Sequence, residues 1–542
     1  MLYHHTTTAG GRSMTTFDAQ IASAVSERAE SVALVDAPNR DTFFSGEPLR
    51  LTWAQVDAAV DAVAFSLQEA GVTAGHAVAI QLPNCAELPI SILACTRIGA
   101  IATPFPIQHR EHELRHGLST SGARHLITGA RPDRPDLLDA SAAVLAEFDA
   151  TMLTFGSDHP DPDRRLDLDS GGAPAPHIAV PTDTATICWT SGTTGTPKGV
   201  PRSHAMWLAT SGFQVAELEL GPDDRILCPF PVVNMAGIGG MLVPWIETAS
   251  RLVLHNPIDL GVFLGQIATE QITYTVAPPP LLNMLLRNDT MLEGVDMTQM
   301  RKITSGSAPL DPWMVEGWQE RGIEIVNAFG SNEGASMLST EATVPDPALR
   351  ARYFPVPERE GVEVRLVGLE TEMEITEPSV TGELRFRGPT VFSGYLDSDG
   401  SEFDDDGWYR TGDIFQIVDA PGRTLLQFVD RAKDIIIRGG MNISAAEVEA
   451  LISSHADIVE CAVVSYPDPD MGELVGVFAV AAPNAEPTLE AIVEHLRAQQ
   501  VASYKLPERL EVLDALPRNP VGKIVKGDLR DRWVSGPEGT AT

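Results

Sequence analysis

Between Phe17 and about Leu126, amphipathic helices alternate with short apolar strands, and this alternation confines the chain to folds built on βαβ units. Thr52 to Ala70 carries apolar residues at helical spacing, with Thr52 placed as N-cap and Gly71 just past the end. A strand at His76 to Gln81, a helix at Ala86 to Ile98 and a strand at Ala100 to Thr103 follow. Strands of such units pair in a mainly parallel sheet. From Gly129 to Pro181 the pattern breaks: Pro, Asp and Gly cluster around Ser157 to Pro176, and the stretch reads as a long surface connection. Alternation resumes with strands near Ile187, Ile226, Val253, Tyr274, Ile303 and Ile325, and no fixed-period repeat is visible.

Beyond Val356 the texture becomes strand-rich, at Val362 to Val367, Gly382 to Arg387 and Leu425 to Val429. A smaller α+β unit follows Arg431, with helices expected at Ala445 to Ser453, Thr488 to Gln499 and Lys526 to Trp533. A chain of 542 residues exceeds what one core supports, so two or more domains are expected. Met1 to Ser13 lack the apolar segment of a secretory signal and read as a disordered leader; from about Ser535 the chain reads as a frayed tail.

The 74 acidic and 39 basic residues leave a formal charge of -35, which argues against nucleic acid or an anionic membrane as general partner. No apolar run approaches the ~20 residues of a membrane helix. Cys85, Cys95, Cys188, Cys228 and Cys461 are scattered in apolar surroundings, without disulfide-framework or metal-ligand spacing. They read as reduced core residues of a cytoplasmic protein.

Thr190 to Val200 reads TSGTTGTPKGV, directly after the strand-like run Ala185 to Trp189. Glycines let backbone N–H groups approach an anion, the hydroxyls of Thr190, Ser191, Thr193 and Thr194 add donors, and Lys198 brings a positive charge. A Walker A loop needs glycine directly before its lysine and serine or threonine directly after. Pro197 and Gly199 stand there, so a P-loop NTPase is disfavoured.

The segment resembles, almost letter for letter, the signature loop of the adenylate-forming enzymes: acyl-CoA synthetases, the amino-acid-adenylating domains of peptide synthetases, and luciferases. Five motifs in the family's order extend the resemblance from about Phe17 to Arg532. It implies an α/β fold: a large N-terminal domain of mainly parallel sheets with helices and a β-rich subdomain, and a small mobile α+β C-terminal domain. The boundary falls at Asp430 to Asp434, giving domains 14–430 and 431–534.

It also implies ATP, Mg²⁺ and CoA as cofactor and cosubstrates, and assigns site residues. Thr190, Ser191, Gly192, Thr193, Thr194, Gly195 and Lys198 would hold phosphates, with Thr194 in the catalytic group. Ser307, Ala308 and Pro309, in the run Ser305 to Leu310, would line the adenine. In Asn327-Ala328-Phe329-Gly330-Ser331-Asn332-Glu333-Gly334, Phe329 would stack on adenine and Glu333 would ligate Mg²⁺. Asn332 departs from the family's threonine, which hydrogen-bonds the α-phosphate; an amide can also donate to phosphate. In Gly407 to Asp413, Asp413 would accept both ribose hydroxyls. Arg431 would reach ribose and phosphates, and Lys433 would be the interdomain pivot. Lys523, in Pro517 to Ile524, would bridge the incoming carboxylate and the α-phosphate.

Arg438 to Glu449 resembles the acyl-CoA synthetase segment lining the pantetheine tunnel, where Gly439 and Gly440 would form a thin wall. CoA is therefore favoured over a carrier-protein thiol, which is the enzymatic alternative; a non-catalytic nucleotide-binding protein is the alternative of another class. Phe230 to Met241, Ser305 to Ser307 and Gly330 to Met337 are expected to form the acyl pocket, with Asn234, Met235, Gly237 and Gly334 as its candidate residues. Asn234 either reads a polar substituent or is a core amide bonded to backbone. The sequence leaves aryl, alicyclic and fatty acids open, and is compatible with a homodimer.

Overall fold

The computed structural model describes residues 15–156, 161, 164–190, 197–306, 310–359, 361–369, 371–420, 423–438, 441–469, 471–499, 501–519 and 523–534. Packing separates them into two compact units, one drawn from 15–190, 197–363 and 386–409, the other from Val364–Arg385 and 410–534.

Two sheets build the first unit. One has six strands in the order Thr151–Phe155, His125–Gly129, Ala77–Ile80, Ile101–Pro104, Thr184–Trp189 and Gly199–Ser203. All neighbours are parallel except the last two, which form an antiparallel hairpin. The other has eight, in the order Ser336–Ser339, Glu324–Gly330, Lys302–Gly306, Tyr274–Val276, Arg225–Cys228, Arg251–Leu254, Val32–Val35 and Arg50–Thr52. Its six inner strands are parallel and its two edge strands antiparallel.

Local chemistry explains the connecting helices. Trp53–Glu69 starts at a capping box, in which Thr52 Oγ1 accepts from the Gln55 backbone N–H and Gln55 Oε1 accepts from the Thr52 N–H. Its buried stripe, Val56, Val60, Val63 and Leu67, is fully shielded, and Trp53 stacks on Trp245 at 4.9 Å. Glu87–Arg97 is buried on every side from Glu87 to Thr96, as a helix enclosed within the core must be.

One part of the sequence expectation is corrected. The connection from Gly129 to Pro181 contains the helix Leu137–Glu147 and the edge strand Thr151–Phe155, whose Thr151 to Phe155 pair in register with His125 to Gly129. The loop signals fall into two clusters, Pro132 to Asp136 and the chain after Gly156, and between them an alanine- and leucine-rich run buries Leu137, Val144 and Leu145.

In the second unit a twisted antiparallel ribbon pairs Tyr409–Ala420 with Arg423–Arg431. The C-terminal part is α+β: the hairpin Ile458–Asp468 with Gly472–Ala481, flanked by Ile435–Arg438, Met441–Ser444 and Arg509–Val512. Against it lie the helices Ala445–Ile452, Leu489–Ala498 and Lys526–Val534, the first two capped by Ser444 and Thr488. Its core comprises Ile443, Val448, Ile452, Val463, Val475, Val477, Ile492 and Leu496.

All five cysteines are buried free thiols, and burial pushes Cys188, Cys228 and Cys461 up to about 12. Among the described residues no helix is long and apolar enough to cross a membrane.

Candidate active site

The hydroxyl- and glycine-rich segment lies in the sequence between the strands Thr184–Trp189 and Gly199–Ser203, which pair antiparallel. The ladder runs to the Trp189–Gly199 pair, and beyond it the Thr190 N–H donates to Lys198 O (3.0 Å) while the Lys198 N–H donates to Thr190 Oγ1 (3.2 Å). The base of the loop is thus closed on both sides. Ser191, Gly192, Thr193, Thr194 and Gly195 lie outside the described residues. Trp189 anchors the base: its indole stacks on Phe105 at 5.3 Å and donates to Thr103 Oγ1 at 2.9 Å. On the other shoulder His116 Nε2 donates to Pro197 O at 2.7 Å.

The second strand end belongs to Glu324–Gly330, whose Asn327 and Ala328 pair with Ser305 and Gly306 of the neighbouring strand. Ser307, Ala308 and Pro309, which follow, lie outside the described residues. Asn327 is buried and its amide donates to Arg350 O and Ala351 O, so it fastens the strand to the following helix. Phe329 meets Phe354 edge to face at 6.3 Å.

After Gly330 the chain makes a tight turn, with the Ser331 N–H donating to Ala335 O and the Gly334 N–H to Ser331 O. Gly334 has φ +102°, and a Cβ there would stand 1.8 Å from Thr390 O, so only glycine fits. This turn presents Asn332 and Glu333. Asn332 Oδ1 accepts from the Met235 N–H (2.7 Å) and its Nδ2 donates to Trp189 O (3.1 Å), tying the loop's base to the start of the segment Met235–Leu242. Glu333 is 7% exposed, and its Oε1 accepts from the Tyr395 hydroxyl at 2.8 Å. Lys198 Nζ lies 4.6 Å from the centre of the same tyrosine ring.

Met235–Leu242 is a π-helix, a wide winding frequent at functional sites. Asn234 caps it, its Oδ1 accepting from the Gly237 N–H at 3.2 Å. A Cβ on Gly237 would fall 2.1 Å from Pro231 O, and one on Gly239 would meet Met235 Sδ and Trp207, so tight packing accounts for both glycines. The Met235 side chain reaches to 4.0 Å from the Cβ position of Gly330.

In the second unit Asp413, 3% exposed, lies directly opposite Arg431 in the ribbon and pairs with its Nε at 3.1 Å. Lys433 stands in a 3-10 turn, Ala432–Asp434, and burial depresses its ammonium pKa. Its carbonyl accepts from Arg530, which also pairs with Asp434. Strands Ile435–Arg438 and Met441–Ser444 pair on either side of Gly439 and Gly440, which lie outside the described residues. Lys523 is exposed and bonded to Asn519, whose N–H donates to Lys523 O (2.8 Å) while the Lys523 N–H donates to Asn519 Oδ1 (2.9 Å).

Residues 22–396 match the model of the AMP-binding enzyme family, and residues 447–523 match the AMP-binding enzyme C-terminal domain. The chain belongs to the AMP-binding enzyme family. It is an AMP-forming ligase of the acyl-CoA synthetase type. The ligase is 31% identical to the indoleacetate–CoA ligase of Aromatoleum aromaticum over 89% of its own length and 92% of the relative's. It is 30% identical to a feruloyl-CoA synthase of an Amycolatopsis species, over 89% and 94% of the two chains. ATP-bound MatB from Rhodopseudomonas palustris superposes with a TM-score of 0.81 at 26% identity, covering 96% of this chain and 99% of that one.

The donor set of the ligase fits a magnesium ion shared with phosphate. Among the described residues no cluster of three His, Cys, Asp or Glu side chains could cage a metal, whereas Mg²⁺ typically takes one or two carboxylates and completes its shell with phosphate oxygens and water. Glu333, shielded and held at one oxygen, is a carboxylate of the kind that would fit such an ion.

Three residues of the ligase escaped the sequence reading. Arg202 is fully buried and donates to Asn332 O, Met206 O, Thr210 Oγ1 and Thr390 O while lying over the Trp207 ring; burial lowers its pKa to about 10. Tyr395 touches two motifs at once. Asp430 Oδ2 accepts from Ser444 Oγ and the Ala446 N–H, joining the ribbon's end to the helix Ala445–Ile452. A lone arginine in the apolar strand Gly199–Ser203 was the only signal available for the first; the other two depend on contacts distant in sequence.

Proposed function

We propose that this ligase activates a bulky apolar carboxylic acid of the aromatic class with ATP, releases pyrophosphate, and transfers the acyl group from AMP to CoA. The observation that carries the reading is the meeting of Lys198 and Glu333, from motifs far apart in sequence, at one tyrosine. A cation and a carboxylate so placed suit the phosphates and the ion that accompanies them. Two relatives named for aromatic acids, and the apolar Met235, Ala335 and Met337 beside the turn, support the acid class.

In this reading Lys198 and the loop's hydroxyls balance phosphate charge, and Phe329 offers an aromatic face to adenine. Glu333 would hold Mg²⁺, which when bound neutralises charge on phosphate oxygens. Asp413 accepts the ribose hydroxyls and Arg431 reaches toward phosphate. Lys523 stands between the entering carboxylate and the α-phosphate, where a single donor is typically worth ~3 to 4 kcal/mol of transition-state stabilisation. We assign domains 14–430 and 431–534 with Lys433 as pivot, and the Gly439-Gly440 pair to the CoA thiol's path.

ATP–pyrophosphate exchange across a panel of aryl, alicyclic and fatty acids, followed by CoA-dependent release of AMP, tests the proposal. Exchange should be strongest with arylacetic or arylpropenoic acids, and AMP release should require CoA. Preference for unbranched fatty acids would overturn the acid class, and AMP release only with a carrier-protein thiol would overturn the acceptor.

A further inference from the structure

The segment Phe392 to Leu396 is stitched to both halves of the phosphate machinery. The Phe392 N–H donates to Glu333 O at 2.8 Å, and the Leu396 N–H donates to Gly199 O at 3.0 Å, one residue from Lys198. Tyr395 lies between these two attachments, and its side chain repeats the connection: the hydroxyl donates to Glu333 Oε1 and the ring faces Lys198 Nζ at 4.6 Å. The tyrosine is itself immobilised. Its backbone N–H donates to Glu402 Oε1 at 3.0 Å, Phe392 meets its ring edge-on at 4.8 Å, and its hydroxyl is also hydrogen-bonded to the Tyr409 hydroxyl. Because Tyr395 donates its proton to Glu333, it accepts from Tyr409, and a Tyr–Tyr–Glu chain results.

We infer that Tyr395 is a positioning residue that fixes the separation of Lys198 and Glu333. The inference rests on the roles proposed above for those two residues, and divides the tyrosine's work into two parts. Its hydroxyl orients the carboxylate, so that Glu333 offers a preset oxygen to Mg²⁺. Its ring steers the ammonium by cation–π attraction, leaving the N–H donors directed away from the ring for phosphate.

The two parts separate in Tyr395→Phe, which keeps the ring and removes the hydroxyl, and Tyr395→Leu, which removes both. Readouts are ATP affinity by calorimetry in EDTA and in excess Mg²⁺, and the Mg²⁺ concentration giving half-maximal acid-dependent pyrophosphate exchange. In Tyr395→Phe, affinity in EDTA should stay within about twofold of wild type, while the Mg²⁺ requirement rises roughly 3- to 10-fold, as loss of one hydrogen bond predicts. Tyr395→Leu should show the same rise and in addition lose roughly 3- to 10-fold in metal-free ATP affinity.

A wild-type Mg²⁺ requirement in Tyr395→Phe, or indistinguishable behaviour of the two variants, would overturn the inference. Glu333→Gln and Lys198→Ala separate its failure from that of the underlying reading. If Glu333→Gln shifts the Mg²⁺ requirement and Tyr395→Phe does not, only the positioning role falls. If neither Glu333→Gln nor Lys198→Ala changes its respective readout, the roles of both residues fall and the inference with them.

Discussion

Arg431 sets its Nε 3.1 Å from Asp413 Oδ1, across adjacent strands whose register places the two residues directly opposite each other. The carboxylate is nearly fully buried while the guanidinium is 43% exposed, so the arginine supplies a charge partner that orients the acid and can still reach outward. Asp413→Ala removes an ionised acceptor that could serve two ribose hydroxyls. ATP and AMP affinity should fall together, by roughly 10- to 100-fold, because hydrogen bonds to charged groups carry about 1.5 to 3 kcal/mol. Acid preference should not change. Calorimetric titration with both nucleotides checks this, and an unchanged ATP affinity would place the ribose elsewhere.

Lys523 is tied to Asn519 by two hydrogen bonds: its carbonyl accepts from the Asn519 N–H, and its own N–H donates to Asn519 Oδ1. Both bonds use only the backbone of residue 523, so replacing Lys523 with alanine leaves them intact and should preserve the local fold. Acyl-adenylate formation should drop by roughly 100- to 1000-fold, the range for one preorganised donor. Thiolysis of supplied acyl-AMP should be largely retained, because the charge it stabilises develops only in the first step. Separate assays of pyrophosphate exchange and of CoA consumption with synthetic acyl-AMP resolve the two; equal loss in both would remove the assignment.

Legibility in the sequence followed the range of the interactions involved. The Thr52 capping box and the strand before Thr190 rest on residues close in sequence, and each stands where its local chemistry puts it. Arg202 could not be read in this way: its four acceptors come from Met206, Thr210, Asn332 and Thr390, and only the folded chain brings them together. The same holds for Tyr395, whose meaning depends on Lys198 and Glu333. Asn332 reads as a substitution in a motif, yet the fold gives its amide two backbone partners on different elements. The π-helix Met235–Leu242 has no periodic signature distinct from an α-helix over eight residues, and was visible only as a glycine-rich apolar run.

Asn234 now has a defined structural duty, since its Oδ1 caps the π-helix through the Gly237 N–H. Asn234→Leu should therefore lower unfolding stability by about 1 kcal/mol, the usual loss for a removed cap, whatever the acid bound. Asn234→Asp preserves an acceptor and should restore most of that stability. If Asn234 also reads a polar substituent, kcat/KM for a hydroxylated acid should fall relative to its unsubstituted partner in the leucine variant. A parallel drop for both acids would confine the residue to capping.

His204 connects the fold to pH. It opens the helix His204–Leu218, is 2% exposed, meets Phe17 edge to face at 4.8 Å, and accepts the Phe17 backbone N–H at Nδ1 (3.2 Å). Protonation of Nδ1 would remove that acceptor, and burial lowers the pKa from 6.5 to about 4, with His177 adding to the depression and Asp183 opposing it. The sign follows from which state binds the proton. Above pH 6.5 the ring is neutral in both folded and unfolded chains and contributes no pH dependence; between 6.5 and about 4 only the unfolded chain is protonated, so stability falls as pH falls. At about 1.4 kcal/mol for each pH unit across that window, the loss approaches ~3 kcal/mol. Below the folded value both states carry the proton and the loss stops growing. His204→Asn retains an acceptor for Phe17 without a titrating ring, so its unfolding midpoint should decline less steeply than that of the parent between pH 6.5 and 4. Denaturant unfolding of both proteins at half-unit intervals gives the difference directly, with the other titrating groups cancelling. Parallel curves for the two would show that His204 does not titrate between the folded and unfolded states.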